Sequence, residues 1–111
     1  MTTISKSNNL VTLINVFTVE PANQQQLLDL LARATETSVR QAPGFVSANL
    51  HRSLDGTKVV MYAQWRSAED YRAMREDPGP RPYLEQALAL AKFEPGVYEV
   101  VEIYSAEDEI G

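Results

Sequence analysis

The dipeptide Asp55-Gly56 is the feature that most restricts how this chain can fold. It separates two ten-residue runs of strand character, FVSANLHRSL before it and TKVVMYAQWR after it. An Asp-Gly pair between two such runs is the strongest short-range signal for a β-hairpin, because a two-residue type I′ turn requires positive φ at both central positions. A two-residue turn here pairs Leu54 with Thr57 and thereby fixes the register of the whole hairpin.

The segments on either side of this hairpin complete a βαββαβ order. β-Branched and aromatic composition predicts the strands, and apolar residues at helical spacing predict the helices. The predicted elements are a strand at 10–19, a helix between Pro21 and Pro43, the hairpin, a short helix capped by Ser67, a helical stretch from Leu84 to Pro95, and a last strand at 97–105. This order gives the α+β ferredoxin-like fold, a four-stranded antiparallel sheet with the helices on one face.

Length and composition limit the chain to one small domain. Its 111 residues are 44% hydrophobic and 23% charged, which is ordinary for a globular protein. The folded domain is predicted over residues 10–105, after a flexible N-terminal segment at 1–9 and before an acidic tail at 106–111. A net charge of −5 disfavours nucleic acid and anionic membranes as partners, because both bind basic surfaces. With no long apolar run and no signal-peptide pattern, the expected location is the cytoplasm.

The predicted register sorts the strand residues onto two faces. With Leu54 opposite Thr57, Val46 falls opposite Trp65 and both face the helices. The other face combines apolar side chains with amides and a histidine: Ile14, Val16, Phe45, Asn49, His51, Val60 and Tyr62. Leaving apolar surface in water costs about 25 cal/mol per Å², so we expect two copies to pack sheet against sheet as a homodimer. His51 is interpreted as a residue of that interface rather than as a general base.

No motif in the sequence specifies a reaction by itself. Phosphate-binding loops, paired metal-binding histidines and nucleophile elbows are absent from the sequence, and one histidine with no cysteine makes a structural zinc site unexpected. Asn15 is an amide in an apolar strand, so it has hydrogen-bond partners or binds a ligand, because an unpaired buried amide costs about 1–3 kcal/mol. Trp65, the only tryptophan, is either a core aromatic or part of a binding site.

The segment DPGPRP at residues 77–82 interrupts the second helical region. Its three prolines and one glycine predict a loop over one end of the sheet, where loops often form the mouth of a cavity. Arg81 lies in this segment. It either faces an anionic or enolate oxygen of a ligand or is a solvated charge.

The block PGFVSANLHRSLDGTKVVMYAQWRSAEDYRAM resembles the core of the antibiotic biosynthesis monooxygenase domain, a family of the dimeric α+β barrel superfamily. The family shares the Pro-Gly-Phe opening, the Asp-Gly hairpin and a tryptophan at the end of a strand. The first strand with Asn15 and the closing Tyr-Glu-Val-Val segment fit as well, so the resemblance covers about residues 10–104. It implies a homodimer in which each subunit holds a small-molecule cavity between sheet and helices.

The resemblance implies chemistry with O₂ as co-substrate and with no metal or flavin cofactor. In such oxygenases an aromatic polyketide of the anthrone type loses a proton, its carbanion passes an electron to O₂, and recombination leads to a quinone. The implied catalytic residues are Asn15 and Trp65, which would hold the enolate. The predicted substrate contacts are Phe17, Met61, Tyr71 and Arg81.

Two positions depart from patterns found among related proteins. Several active oxygenases have a second asparagine where this chain has Met61. A haem-degrading sister group has an iron-binding histidine about ten positions after the tryptophan, where this chain has Met74 and Arg75, which disfavours haem degradation. Three functions stay open: a cofactor-independent monooxygenase acting on an enolisable, possibly polycyclic aromatic, molecule; a small-molecule-binding or stress-associated dimer without oxygenase turnover; and an isomerase or lyase on the same scaffold.

Overall fold

The computed structural model describes residues 10–106 and contains the predicted elements in the predicted order, with the last strand in two pieces. The elements are β1 Val11–Val19, α1 Gln24–Thr37, β2 Phe45–Arg52, β3 Lys58–Trp65, α2 Ala68–Glu76, α3 Arg81–Leu90, β4 Ala91–Glu94 and β5 Val97–Tyr98. The segment predicted to be flexible at 1–9, and all of the acidic tail after residue 106, lie outside the described residues. Within 10–106, none of the helices has the length and apolar character needed to cross a membrane.

The sheet is antiparallel, with strand order β2-β3-β1-β4, and β5 pairs with β1 beside β4. β4 pairs with residues 16–19 of β1 and β5 with residues 12–13, in one continuous register. Pro95 interrupts this strand because it lacks the N–H that a ladder requires, while the Gly96 carbonyl still accepts the Ile14 N–H at 3.0 Å. β4 and β5 together occupy one position beside β1, so the sheet has the four strand positions that the predicted ferredoxin-like fold requires.

The C-terminal part corrects two boundaries of the prediction. α3 ends at Leu90 rather than near Pro95, and the following four residues form β4 because Phe93 stacks on Phe17 of β1 with ring centroids 4.8 Å apart. The strand predicted at 97–105 is reduced to Val97–Tyr98, and residues 99–106 have no regular structure. The reason is geometric: β1 begins at Val11, so an antiparallel partner has nothing to pair with beyond that point.

The hairpin has the predicted register and a longer turn than predicted. Leu50 lies opposite Met61, as expected. The last backbone pair before the turn joins the Ser53 N–H to the Lys58 carbonyl at 3.0 Å, and the Gly56 N–H bonds to the Ser53 carbonyl at 3.2 Å. Gly56 has φ +83°. The prediction of a two-residue turn was wrong. Because the loop is longer by one residue on each side, the register of the hairpin is unchanged.

A β-bulge at the start of β2 corrects the predicted faces at that end. The register shifts between Phe45 and Ser47, so that Phe45 rather than Val46 lies opposite Trp65. The Phe45 ring meets the Trp65 ring edge to face with centroids 5.4 Å apart, while Val46 is 40% exposed. Placing Val46 in the core and Phe45 on the outer face was wrong, because one extra residue in a strand reverses the facing of every residue beyond it.

The helices bury one face of the sheet in two clusters of apolar side chains. One cluster surrounds Leu13 and Trp65, and the other surrounds Phe17 and Leu27. Asn15 lies between Leu13 and Phe17 on the same face of β1 and is buried with them. The space left between the two clusters is the cavity described next.

Candidate functional site

A largely apolar cavity lies between the sheet and the helices, with walls from β1 to β4 and from all three helices. The enclosed volume is about 80 Å³. The empty space is about 670 Å³ when the open solvent at the mouth is included. A concave apolar site with few polar groups is the usual form of a small-molecule site. Because this enclosed volume is small, a polycyclic ligand enters only if side chains of the cavity wall shift. Met61 and Met74 line the cavity and have the flexible side chains suited to this.

Asn15 is 7% exposed, and two contacts set the direction of its amide. Its Oδ1 accepts the Gly96 N–H at 3.4 Å, and its Nδ2 donates to the Tyr71 hydroxyl at 3.3 Å. Only the oxygen of the amide can accept a hydrogen bond from a backbone N–H, so the NH₂ group faces the cavity. Both distances are long for hydrogen bonds, so the NH₂ group of Asn15 can donate to a stronger acceptor on a ligand.

Trp65 and Tyr71 form the adjoining part of the wall. Trp65 is 1% exposed, and its ring meets the Tyr71 ring at a centroid distance of 5.9 Å and an angle of 64°. Tyr71 is placed by the start of α2, where the Ser67 hydroxyl accepts the Asp70 N–H at 3.0 Å, as the sequence predicts for a helix cap. Trp65 lines the cavity, and its indole N–H is the one group of its side chain that can donate to a bound molecule.

Gly44 fixes the geometry next to Trp65. It has φ +84°, and a Cβ at this position would overlap the side chain of Asp70. Its carbonyl oxygen accepts the Arg66 N–H at 2.8 Å. Only glycine combines this backbone conformation with so close an approach, so the start of β2, the end of β3 and the start of α2 are held together, and Phe45 and Trp65 meet as a result.

Met61 and Phe17, two of the predicted substrate contacts, also line the cavity. Met61 lies directly opposite Asn15 in the β1–β3 ladder, where the Cβ atoms of neighbours are about 4.5–5.5 Å apart. The position beside Asn15 therefore holds a thioether, which has no proton to donate. Phe17 is 5% exposed and shares the wall with Phe93, a residue that reaches the cavity only because β4 pairs with β1.

Arg81 does not line the cavity. It opens α3 rather than lying in a loop, since Pro82 fits the first helical turn where its missing N–H has no cost. Its side chain is 61% exposed, and its Nε lies 3.6 Å from Oε2 of Glu85. The charged residue on the wall is Arg75, whose guanidinium carbon lies 5.9 Å from the Tyr71 ring centre. The spacing of four from Tyr71 to Arg75 on one helix is the sequence signal for this neighbourhood.

A row of buried polar side chains lies on the opposite face of the sheet. Gln64 is 0% exposed, with Thr12 directly opposite it on β1 and Ser47 directly opposite it on β2. The two hydroxyls and both amide atoms of Gln64 find no hydrogen-bond partner in the described part of the chain. Such groups cost about 1–3 kcal/mol each when unpaired, so we expect them to bond to water or to a group outside the described residues.

Fold and cavity together define a class of protein: a small α+β domain with a ferredoxin-like sheet and an apolar cavity between sheet and helices. The family model described as antibiotic biosynthesis monooxygenase matches residues 10–86, and the chain belongs to that family. In the part of the chain that the structure describes, no three His, Cys, Asp or Glu side chains lie close enough together to hold a metal ion.

Similar proteins include biosynthetic oxygenases of Streptomyces. Tetracenomycin-F1 monooxygenase of Streptomyces glaucescens is 46% identical over 106 residues, which are 96% of this chain and 95% of that protein. The monooxygenase from the gene ActVA-Orf6 of Streptomyces coelicolor, solved in complex with nanaomycin D, is 29% identical with a TM-score of 0.78, covering 91% of this chain and 96% of that one. SnoaB, a cofactor-independent oxygenase from Streptomyces nogalater, is 30% identical with a TM-score of 0.73, covering 86% and 96%.

Proposed function

We propose that this protein is a cofactor-independent monooxygenase that oxidises an enolisable aromatic polyketide with O₂. The observation that carries the proposal is the Asn15 amide, which donates to the Tyr71 hydroxyl in the wall of an apolar cavity that Trp65 also lines. The names of the similar proteins support the same class of reaction, since they include a tetracenomycin-F1 monooxygenase and a cofactor-independent oxygenase.

The cavity is suited to hold an enolate. An anthrone-type substrate that loses a proton from its activated CH₂ group carries the negative charge largely on its carbonyl oxygen. Donors fixed beforehand at the place where such a charge develops stabilise it most, because they need no reorganisation. Asn15 Nδ2 and the Trp65 indole N–H are such donors, and the apolar walls strengthen their effect by limiting water.

The reaction balances without an added reductant. The carbanion form of the enolate transfers one electron to O₂, and the two radicals join as a peroxide anion at the same carbon. This anion takes back the proton lost in the first step and becomes a hydroperoxide. Loss of the second C–H proton with departure of hydroxide then leaves a carbonyl group and water. Overall, CH₂ and O₂ become C=O and H₂O, so the substrate carbon supplies all the electrons.

A second candidate function is binding or enolate-based isomerase or lyase chemistry without O₂. Met61 favours it, because the residue directly opposite Asn15 supplies no second amide donor to the enolate. The same cavity and the same donors serve either function, so turnover with O₂ is the property that separates them.

We also propose a homodimer. Residues 99–106 have strand composition but no strand partner between residues 10 and 106, and they expose apolar side chains, with Val101 at 70%, Ile103 at 46% and Tyr104 at 87%. A second copy covers such a surface.

Oxygen consumption with the model anthrone dithranol tests the proposed function. The protein is treated with chelator and shown to be free of flavin. We expect uptake above the uncatalysed rate, and loss of that uptake in Trp65→Phe. Arg72→Gln, a change on the exposed side of α2, is the matched control and keeps full activity. Uptake equal to the uncatalysed rate in the unmodified protein rejects anthrone oxygenation and favours the second candidate.

A further inference from the structure

We propose that Arg75 recognises a carboxylate on the substrate at the mouth of the cavity and so selects for acidic aromatic molecules. The inference rests on the proposed function in one respect, that the cavity is the substrate site. It adds the class of substrate and a specificity residue.

The first observation is the position of Arg75. Its guanidinium carbon lies 5.9 Å from the ring centre of Tyr71 and 5.3 Å from that of Phe93, and all three side chains line the cavity. Tyr71 belongs to α2 and Phe93 to β4, so Arg75 spans the gap between a helix and the sheet. Arg75 is also exposed to solvent, so it lies where the cavity wall meets the surface of the domain.

The second observation is that the charge of Arg75 is unpaired. Among the described residues that line the cavity, Arg75 is the only charged one. It forms no ion pair and no side-chain hydrogen bond with any residue between 10 and 106, whereas Arg81 pairs with Glu85. Contact with two aromatic rings restrains the guanidinium through cation–π attraction. Its N–H groups keep their capacity to donate, and two of them match the two oxygens of a carboxylate.

The third observation is that Tyr71 lies between the two polar groups of the cavity, Asn15 and Arg75. The Tyr71 ring separates them, because its hydroxyl accepts from Asn15 while its ring is approached by Arg75. A ligand whose enolate oxygen meets Asn15 therefore extends past one aromatic ring before it reaches Arg75. An aromatic system with a carboxylate on a ring remote from the reacting carbon fits both ends at once.

Two quinones that differ only by one carboxylate provide the binding test: 1,8-dihydroxyanthraquinone and 1,8-dihydroxyanthraquinone-3-carboxylic acid. Quenching of Trp65, the only tryptophan, and calorimetry both measure the affinity. We expect the unmodified protein to bind the acid about tenfold more tightly, a preference of the size that one partly solvated charge-assisted contact can give. Arg75→Gln should abolish this preference and leave the affinity for the neutral quinone within about twofold.

Two further variants control for charge and for folding. Arg72→Gln removes one positive charge from the same helix away from the cavity and should keep the preference. Arg75→Lys should keep part of it, because lysine retains the charge but not the fork of N–H groups. Equal affinity of the unmodified protein for the two quinones overturns the inference, and so does an equal loss of both in Arg75→Gln.

Oxygen uptake with the two corresponding anthrones separates this inference from the proposed function. An Arg75-dependent preference for the acidic quinone without any oxygen uptake supports the role of Arg75 and rejects the oxygenase. Oxidation of both anthrones with the same KM supports the oxygenase and rejects the role of Arg75. If neither quinone binds and neither anthrone is oxidised, both proposals are wrong.

Discussion

The amide nitrogen of Asn15 lies 3.3 Å from the hydroxyl oxygen of Tyr71, although 56 positions separate the two residues in the sequence. This contact joins β1 to α2 across the cavity wall. The Gly96 N–H holds the other end of the amide, so the NH₂ group cannot turn away without losing both partners. The NH₂ group has two protons, so it can donate one to the Tyr71 hydroxyl and the other to a bound enolate oxygen, which is a strong acceptor because it is charged.

Tyr71→Phe removes the acceptor of this contact and keeps the ring that faces Trp65. We expect kcat for anthrone oxidation to fall about threefold to tenfold with little change in KM, because Asn15 loses orientation while the shape of the site is kept. The free energy of unfolding should fall by about 1 kcal/mol, the usual contribution of one hydrogen bond. Tyr83→Phe is the control on α3, and it should leave kcat unchanged. An unchanged kcat in Tyr71→Phe contradicts a positioning role for the hydroxyl.

Asn15→Ala distinguishes a catalytic amide from a structural one. We expect turnover per folded molecule to fall about 100-fold, the size of effect found when one donor to a developing oxyanion is removed, while light scattering shows an unchanged assembly. Thr12→Val is the control, since it removes a buried, unpartnered hydroxyl from the same strand on the opposite face and should leave turnover unchanged. A lower melting temperature with normal activity per folded molecule means that Asn15 is structural.

Met61→Asn places a second amide directly opposite Asn15. We expect kcat to rise several-fold, since a second donor adds to the stabilisation of the enolate, and the melting temperature to fall because a half-buried apolar side chain becomes polar. Met74→Asn, which adds an amide to the helical wall of the cavity, is the control and should not increase kcat. A lower kcat in Met61→Asn shows that Met61 contributes through shape rather than by lacking a donor.

The parts of the site that follow from strand alternation were predictable from the sequence. The hairpin register and the alternation along β1 put Asn15, Phe17, Met61 and Trp65 on the helix-facing side, and the structure confirms this placement. Tyr71 followed from the start of α2 at Ser67. These are consequences of local pairing, in which a period of two leaves little freedom once one pair is known.

The parts that depend on irregular backbone were not predictable. Phe45 reaches the cavity because of a bulge that no residue type marks, and Phe93 because β4 follows α3 without a break. Arg81 was predicted as a substrate contact, and Arg75 was not, because the proline-rich segment was taken as a longer loop than the structure has. In each case tertiary packing against β1 or α2 decided the outcome over local composition.

Light scattering of the full chain tests the homodimer, and we expect twice the monomer mass at micromolar concentration. Replacing both Val101 and Ile103 by Ser removes exposed apolar surface from the segment proposed to meet the second copy. The dissociation constant of the dimer should therefore rise. Leu54→Ser is the control, because Leu54 is fully exposed at the hairpin turn and its loss should not change assembly. A monomer at micromolar concentration in the unmodified protein contradicts the proposed interface.

The turn between β2 and β3 contains a carboxylate with a strongly lowered pKa. Hydrogen bonds lower the pKa of Asp55 from 3.8 to about 2, chiefly those from the Thr57 hydroxyl and the Thr57 N–H and then that from the Ser53 hydroxyl. The corresponding distances to Oδ1 are 2.7, 3.0 and 2.8 Å. Because the folded protein has the lower pKa, this contribution to stability is complete above the unfolded pKa and is lost as the pH falls through the folded one.

Asp55→Asn keeps a residue favoured in such turns and removes only the charge. We expect its melting temperature to be lower than that of the unmodified protein at neutral pH, and the difference to shrink as the pH falls from about 4 to about 2. Thermal melts over this range measure the difference, and NMR titration of the Asp55 carboxyl measures the pKa. Thr57→Val, which removes the hydroxyl donor, should raise that pKa and narrow the pH range of the effect. A difference in melting temperature that stays constant down to pH about 2 shows that the Asp55 charge does not stabilise the turn.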